Sequence, residues 1–197
     1  YDLVIMTHDN LEMIPMRPEV KQAYIQDEMR ELDAAIEAAE IAGEGKKNNR
    51  IVKRLQKAKL KLEARLQEAL DDAKKDDAVF FEQTGIDQLF VDEAHKFKTL
   101  PVSSHEQIKG IPTGRSDRAT DLLMRTRWLE DRNNGRGVVF CTGTPVSNTM
   151  AELYNMQRFL MPRELKERGL DNFDAWKNAF GDTVTKTEFT VAGDYAP

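Results

Sequence analysis

Two short apolar runs, each ending abruptly in polar residues, constrain this chain more than any other feature. The first is Leu89-Phe90-Val91, which meets two adjacent carboxylates, Asp92 and Glu93, with His95 two places on. The second is Val138-Val139-Phe140-Cys141, which runs into Thr142-Gly143-Thr144-Pro145. A brief apolar run bounded by polar residues reads as a buried strand of a parallel sheet, because a strand covered on both faces loses its alternation. The expected strands are 86–91 and 138–141, which places Cys141 in the core. Acids at the carboxyl end of such a strand lie where open α/β sheets bind ligands. Asp92 there can hold Mg²⁺, which takes one or two carboxylates plus phosphate oxygens and water. Glu93 can orient or deprotonate an attacking water. Alone, the acid pair fits a strand ending in solvated acids better; the second run changes that balance.

Together the two stretches resemble the Walker B box (motif II) and motif III of superfamily 2 helicases. The continuation from Thr142 through Asn148, Glu152-Leu153 and Phe159-Leu160-Met161-Pro162 resembles the Snf2-like branch. The resemblance implies an α/β fold: a partial RecA-like (P-loop NTPase) parallel sheet with flanking helices. It implies ATP and Mg²⁺ as cofactors and double-stranded DNA as partner. By the same resemblance Asp92 coordinates the Mg²⁺ of Mg-ATP and Glu93 positions the hydrolytic water. His95 then couples the γ-phosphate to motif III, and Thr142 and Thr144 relay that coupling. Tyr-Asp-x-x-Ile-x-x-His at the start, Ile14 to Glu19, and Phe173 to Gly181 give a narrower likeness. They resemble large bacterial, phage and mobile-element proteins that join an adenine-specific DNA methylase to a Snf2-like helicase. No Asn/Asp-Pro-Pro-Tyr/Phe methylase motif occurs, so this stretch is not expected to transfer methyl groups.

The 197 residues suffice for one core, or one core plus an appendage. The balance of 29 basic against 34 acidic residues gives −5, which does not advertise a nucleic-acid binder but leaves room for local segregation. One cysteine excludes an internal disulfide framework and suits a reducing cytosol, so a cytoplasmic location is expected. No run reaches the length of a membrane span. Tyr1 to Met6 reads as a short core strand from the first residue, without an initiator Met, as expected of a piece of a longer protein. His8 follows at the strand end, where capping or packing competes with a nucleotide or DNA contact.

A long charged helical region begins near Glu19. Ile25, Met29, Leu32, Ile36 and Ala39 recur at helical spacing, as do Ile51, Leu55, Ala58, Leu62 and Leu66. Gly43-Glu44-Gly45 separates them, which predicts a protruding antiparallel helical hairpin inserted at 17–78. Each arm of about 25 residues would span roughly 35–40 Å at about 1.5 Å per residue. Gly43 to Lys46 is a turn and not a phosphate loop, because Lys47 stands where a hydroxyl is required. Basic charge gathers along the start of the second arm, in Lys46, Lys47, Arg50, Lys53, Arg54, Lys57, Lys59 and Lys61, with the first four nearest the tip. It reads either as a DNA-phosphate contact or as a solvated helix face.

The remaining boundaries are 1–16 for the first strand and linker, 79–162 for the core with both boxes, and 163–197 for a C-terminal extension. Thr99 to Gly114 reads as a flexible loop beside the site. Lys98, Arg115, Arg118, Arg125 and Arg127 are candidates for phosphate contact. Ser116 or Asp117 caps a helix with apolar Leu122, Leu123, Trp128 and Leu129. A further helix over 148–160 is expected to bury Met150, Leu153, Met156, Phe159 and Leu160. Phe173, Trp176 and Phe180 mark a short helix ending at Gly181, and 183–197 reads as an extended strand.

The leading expectation is part of the first RecA-like lobe of a DNA-dependent ATPase. No Gly-x-x-x-x-Gly-Lys-Ser/Thr loop occurs in the sequence, and no second lobe is visible, so the chain alone is expected to hydrolyse no ATP. The missing loop and second lobe of the parent protein would then be its partners, along with a methylase domain. The alternative is a non-catalytic module that binds DNA or protein through the hairpin.

Overall fold

The computed structural model describes residues 2–41, 46–72, 79–104, 116–181, 188–189 and 195–196. The architecture is mixed α and β, mostly helical, around a small parallel sheet. Strand β1 (Leu89–Val91) pairs with β2 (Val138–Phe140), with Leu89 opposite Val138, Phe90 opposite Val139 and Val91 opposite Phe140. Parallel neighbours require a crossover, and the helix Asp117–Arg132 lies on that path. Ser116 caps its start by accepting from the Ala119 N–H at 3.2 Å, as the sequence suggests. Leu122, Leu123 and Leu129 bury its inner face against Phe81, Val91, Phe97 and Leu100. At the far end Asn134 and Gly135 take positive φ and turn the chain back. Gly137 then enters β2 at φ 107°, where a Cβ would sit 2.9 Å from the Asp87 carbonyl oxygen. Only glycine lets the two strands come together there.

The strands are shorter than expected and half open. Val91 is buried, but Phe90 is 65% exposed and its neighbour Val139 is also open. A two-stranded sheet has one covered face here, so every second side chain meets solvent. For the same reason Cys141, expected in the core, is exposed. The stretch 2–7, expected as a core strand, is irregular, with Leu3, Val4 and Ile5 exposed. A lone segment without a ladder partner has no hydrogen bonds to hold it as a strand. It leads into a short helix, α1 (His8–Glu12), capped by Thr7.

Helices α2 (Pro18–Ile41) and α3 (Lys46–Asp72) form the expected hairpin. All ten apolar residues read from the spacing lie in its core, where Ala35, Val52 and Tyr24 join them. The pair Asp33–Lys59, at 2.6 Å, fixes an antiparallel register. The proposed turn at Gly43-Glu44-Gly45 and the side chains of Lys46 and Lys47 lie outside the described residues. The hairpin does not stand free of the core. Arg54 donates to the Ser104 carbonyl at 2.9 Å, Arg65 pairs with Asp117, and Tyr24 packs against both cores.

After α4 (Asp117–Arg132), helices α5 (Met150–Leu160), α6 (Pro162–Glu167) and α7 (Phe173–Phe180) close the other side. Their contact is aromatic: Tyr154, Phe173 and Trp176 pack with ring centroids 5.3–6.1 Å apart. The buried face of α5 differs from the expected one. Ala151, Glu152, Tyr154, Asn155, Met156 and Phe159 face inward, while Met150, Leu153 and Leu160 face out. Phe180 is exposed on one side, with its ring 5.4 Å from that of Trp176 on the other. Two strands, β3 (Glu188–Phe189) and β4 (Tyr195–Ala196), pair antiparallel with one another near the C-terminus. Among the described residues no helix is long and apolar enough to cross a membrane.

Candidate functional site

The two strand ends meet as neighbours. Cys141 N–H donates to the Val91 carbonyl at 2.9 Å, and Ala94 N–H donates back to the Cys141 carbonyl at 3.1 Å. These bonds carry the ladder one step beyond the strands and set Asp92-Glu93 beside Thr142. Asp92 is exposed, and one of its oxygens accepts the Glu93 N–H at 2.9 Å. The other makes no hydrogen bond among the described residues. His8 approaches the Asp92 carbonyl at 3.0 Å and packs edge-on to Phe97, so its place is structural.

Glu93 sits at φ 51°, ψ 42°, the left-handed region. For a residue with a Cβ this costs about 1–2 kcal/mol, and such strain concentrates at functional positions. The turn swings the Glu93 carboxylate back over the short 3₁₀ turn Ala94–Phe97, to 3.0 Å from His95 Nδ1. The same nitrogen lies 3.3 Å from Thr142 Oγ1. His95 Nδ1 thus stands within hydrogen-bond reach of both the Glu93 carboxylate and the Thr142 hydroxyl. Thr142 Oγ1 also accepts the Thr144 N–H at 3.2 Å. Thr144 joins the network through its backbone, with its side chain exposed.

Three of the five expected catalytic residues, Glu93, His95 and Thr142, therefore converge through their side chains; Thr144 joins through its amide, and the Asp92 carboxylate bonds, among the described residues, only the Glu93 N–H beside it. Among the described residues no group of three or more His, Cys, Asp or Glu side chains forms a metal cage. A Mg²⁺ at Asp92 would draw its other ligands from phosphate and water, which is how that ion is usually held.

The expected phosphate contacts scatter. Arg50 and Lys53 are exposed on α3. Arg115 lies outside the described residues. Arg118 pairs with Asp9 and Glu12. Arg125 is 1% exposed: it is gripped by Asp121, donates to the Ile14 carbonyl at 2.8 Å and lies over the Phe81 ring. Lys98 turns inward to Glu152 at 3.1 Å and to Ser147.

That last pair belongs to a clamp the sequence reading missed. Glu152 accepts the Ser147 N–H at 2.7 Å and the Asn148 N–H at 3.1 Å. Burial opposes its charge, but those two bonds and Lys98 outweigh it and hold the carboxyl at about 2. One turn on, the fully buried Asn155 donates to the Lys98 and Leu100 carbonyls at 2.9 and 3.2 Å. Helix α5 thereby pins both loops, the one after the acids and the one after β2. The pattern Thr149-x-x-Glu152 at a helix start was the available signal, since a glutamate there folds back on backbone N–H groups.

A family model described as "Probable helicase domain" matches residues 1–196. The chain belongs to that family. It is also similar to "Defense against restriction protein B" of Escherichia phage P1, 26% identical over 204 residues. That alignment covers 98% of this chain and 8% of the phage protein, so the chain spans a small part of its relative's length. No solved structure matches it.

Proposed function

We propose that the chain is part of the first RecA-like lobe of a Snf2-like, DNA-dependent ATPase. The observation that carries this is the position of His95 Nδ1, 3.0 Å from the Glu93 carboxylate and 3.3 Å from Thr142 Oγ1, which links one strand end to the other. Phosphoryl transfer needs neutralised charge and an oriented nucleophile more than covalent chemistry. Bound at Asp92, Mg-ATP would supply the electrophilic phosphorus and its charge-neutralising ion. The chain's own part is to hold the Glu93 carboxylate where it can orient water. Because Glu93, His95 and Thr142 share one hydrogen-bond network, displacement of either strand-end loop changes the others. Such a link is a route for passing nucleotide state to the rest of a motor.

The phosphate-cradling loop and a second lobe are expected from other parts of the parent protein, and the chain alone hydrolyses no ATP on this reading. The parent is proposed to work on duplex DNA, with a methylase domain as companion; the phage relative is named for defence against restriction.

The test is DNA-stimulated ATP hydrolysis by the full-length parent, wild type against Glu93→Gln. Loss of a positioned base is expected to lower the rate by about 10²-fold or more. A Glu93→Gln parent that hydrolyses ATP at the wild-type rate would overturn the reading. So would robust hydrolysis by the 197-residue chain alone.

A further inference from the structure

Away from Asp92 and Glu93, a cleft of about 750 Å³ separates the hairpin from the core. One wall is α3, where Arg54, Lys57, Lys61 and Arg65 all face the opening. Their spacings of three, four and four put them on one stripe, about 5–6 Å apart and about 16 Å in all. The opposite wall is Pro101 to Ser103, with Tyr154 and Arg158 of α5. The outer cations of the row are partly used. Arg54 gives one N–H to Ser104, and Arg65 pairs with Asp117 at the mouth. Lys57 and Lys61, in the middle, make no hydrogen bond or ion pair among the described residues. Lys59, between them in sequence but outside the cleft, is paired with Asp33. Lys57 and Lys61 thus bring unneutralised charge into a concave site, besides that of Arg50 and Lys53 outside it.

Four carboxylates also line the cleft, Glu28, Glu31, Asp117 and Asp171, and two of them are already engaged. Asp117 answers Arg65, and Glu28 accepts the Tyr24 hydroxyl at 2.9 Å. Burial pushes the Glu31 carboxyl up, with Arg158 opposing. The row remains the dominant feature. Its repeat is on the scale of one nucleotide step, and the volume is that of a single-ligand pocket. A duplex, whose two backbones flank a groove about 12 Å wide, does not fit inside.

We propose that this cleft binds one single-stranded phosphodiester chain, with successive phosphates on Arg54, Lys57, Lys61 and Arg65. The site is distinct from the hairpin tip at Arg50 and Lys53, and it stands without the ATPase reading.

The test uses the 197-residue chain without nucleotide. Labelled oligothymidylate and oligouridylate of about 15 nucleotides are titrated by fluorescence anisotropy, a length within the usual range of single-strand sites. Whichever strand binds carries the comparison and shows which sugar is accepted. The double charge reversal Lys57→Glu/Lys61→Glu is expected to weaken binding at least about tenfold. It should also flatten the plot of log affinity against log salt by about 1.4, two contacts at about 0.7 each. Arg50→Glu/Lys53→Glu should leave both within about twofold, and a duplex of equal length should bind at least about tenfold more weakly. All four positions sit on a helix surface, so circular dichroism of the variants should match wild type. The proposal fails if neither strand binds, if the Lys57/Lys61 variant binds like wild type, if the tip variant loses as much, or if the duplex binds as tightly.

Discussion

Replacing Glu152 by Gln should loosen the loop after β2 and cost about 3 kcal/mol at neutral pH. The carboxyl stands at about 2 against an ordinary 4.5. That difference of about 2.5 units, at about 1.4 kcal/mol each, gives about 3–3.5 kcal/mol of charge-dependent stability. The side chain is 7% exposed, so solvent screening removes little of it. Gln keeps the shape and one acceptor oxygen. What it loses is charge: two N–H···O⁻ bonds become neutral, and the buried Lys98 ammonium stands without its counter-ion. The folded pKa is depressed, so the stabilisation is fully present above about pH 5 and is lost as pH falls through 4.5 towards 2. Urea unfolding of both proteins measures it, because carboxylates common to the two cancel in the difference. The gap should be about 3 kcal/mol at neutral pH and below about 1 kcal/mol near pH 2. An equal gap at both pH values, or none at neutral pH, would refute the assignment of Glu152 as an ionised clamp.

The left-handed backbone at Glu93 predicts that Glu93→Gly is more stable than Glu93→Ala by about 1 kcal/mol in the same unfolding assay, since both lose the carboxylate and only glycine relieves the strain. Equal stabilities would mean the turn is not strained. Glu130 lies buried on α4, and burial, opposed by Arg127, pushes its carboxyl up to about 8. A raised acid binds more protons folded than unfolded, so stability should fall as pH rises from about 4.5 to about 8. Glu130→Gln should remove that fall, with a gain of a few kcal/mol above pH 8, on the order of the shift itself; an unchanged pH–stability curve would count against it. In the hairpin, Leu62→Ala removes a side chain that is 4% exposed and should cost about 2–4 kcal/mol. Faster amide exchange along α2 and α3 with α4 unaltered would mark the hairpin as its own cooperative unit, and uniform acceleration would not.

The hairpin was legible because its signal is periodic and local. A seam at three- and four-residue spacing survives whatever the helices dock against, and every residue on it was found in the core. The strand ends were legible because apolar runs that stop at Asp92 and at Thr142 imply their own boundaries. The burial of α5 was not legible from its apolar residues. Met150, Leu153 and Leu160 make the better hydrophobic stripe, yet Glu152 and Asn155 went inside, because the loop backbones needed acceptors and donors. A buried polar group with every bond made outcompetes an apolar one that leaves backbone unpaired. Arg125 tells the same story: an arginine on a helix reads as solvent-facing until the Ile14 carbonyl and Asp121 draw it in. The half-open sheet was also beyond the sequence, since a strand's composition reports the cover it expects and not the cover at hand.

The network at His95 depends on a register that three residue pairs define. A slip of one residue between β1 and β2 would reverse which side chains face the core and would part Cys141 from Val91 and Ala94. Thr142 would then no longer meet His95. So short a ladder cannot hold that register alone. It is held from outside: by Gly137, where only a glycine lets the strands approach; by Asn133, which donates to the Asp87 carbonyl at 2.7 Å; and by the α5 clamp on both exit loops. These contacts lie at the two ends of the strands and leave the strained Glu93 turn between them. The fold thus concentrates its rigidity around the acids. The Glu93, His95 and Thr142 side chains meet where these contacts hold the two exit loops together.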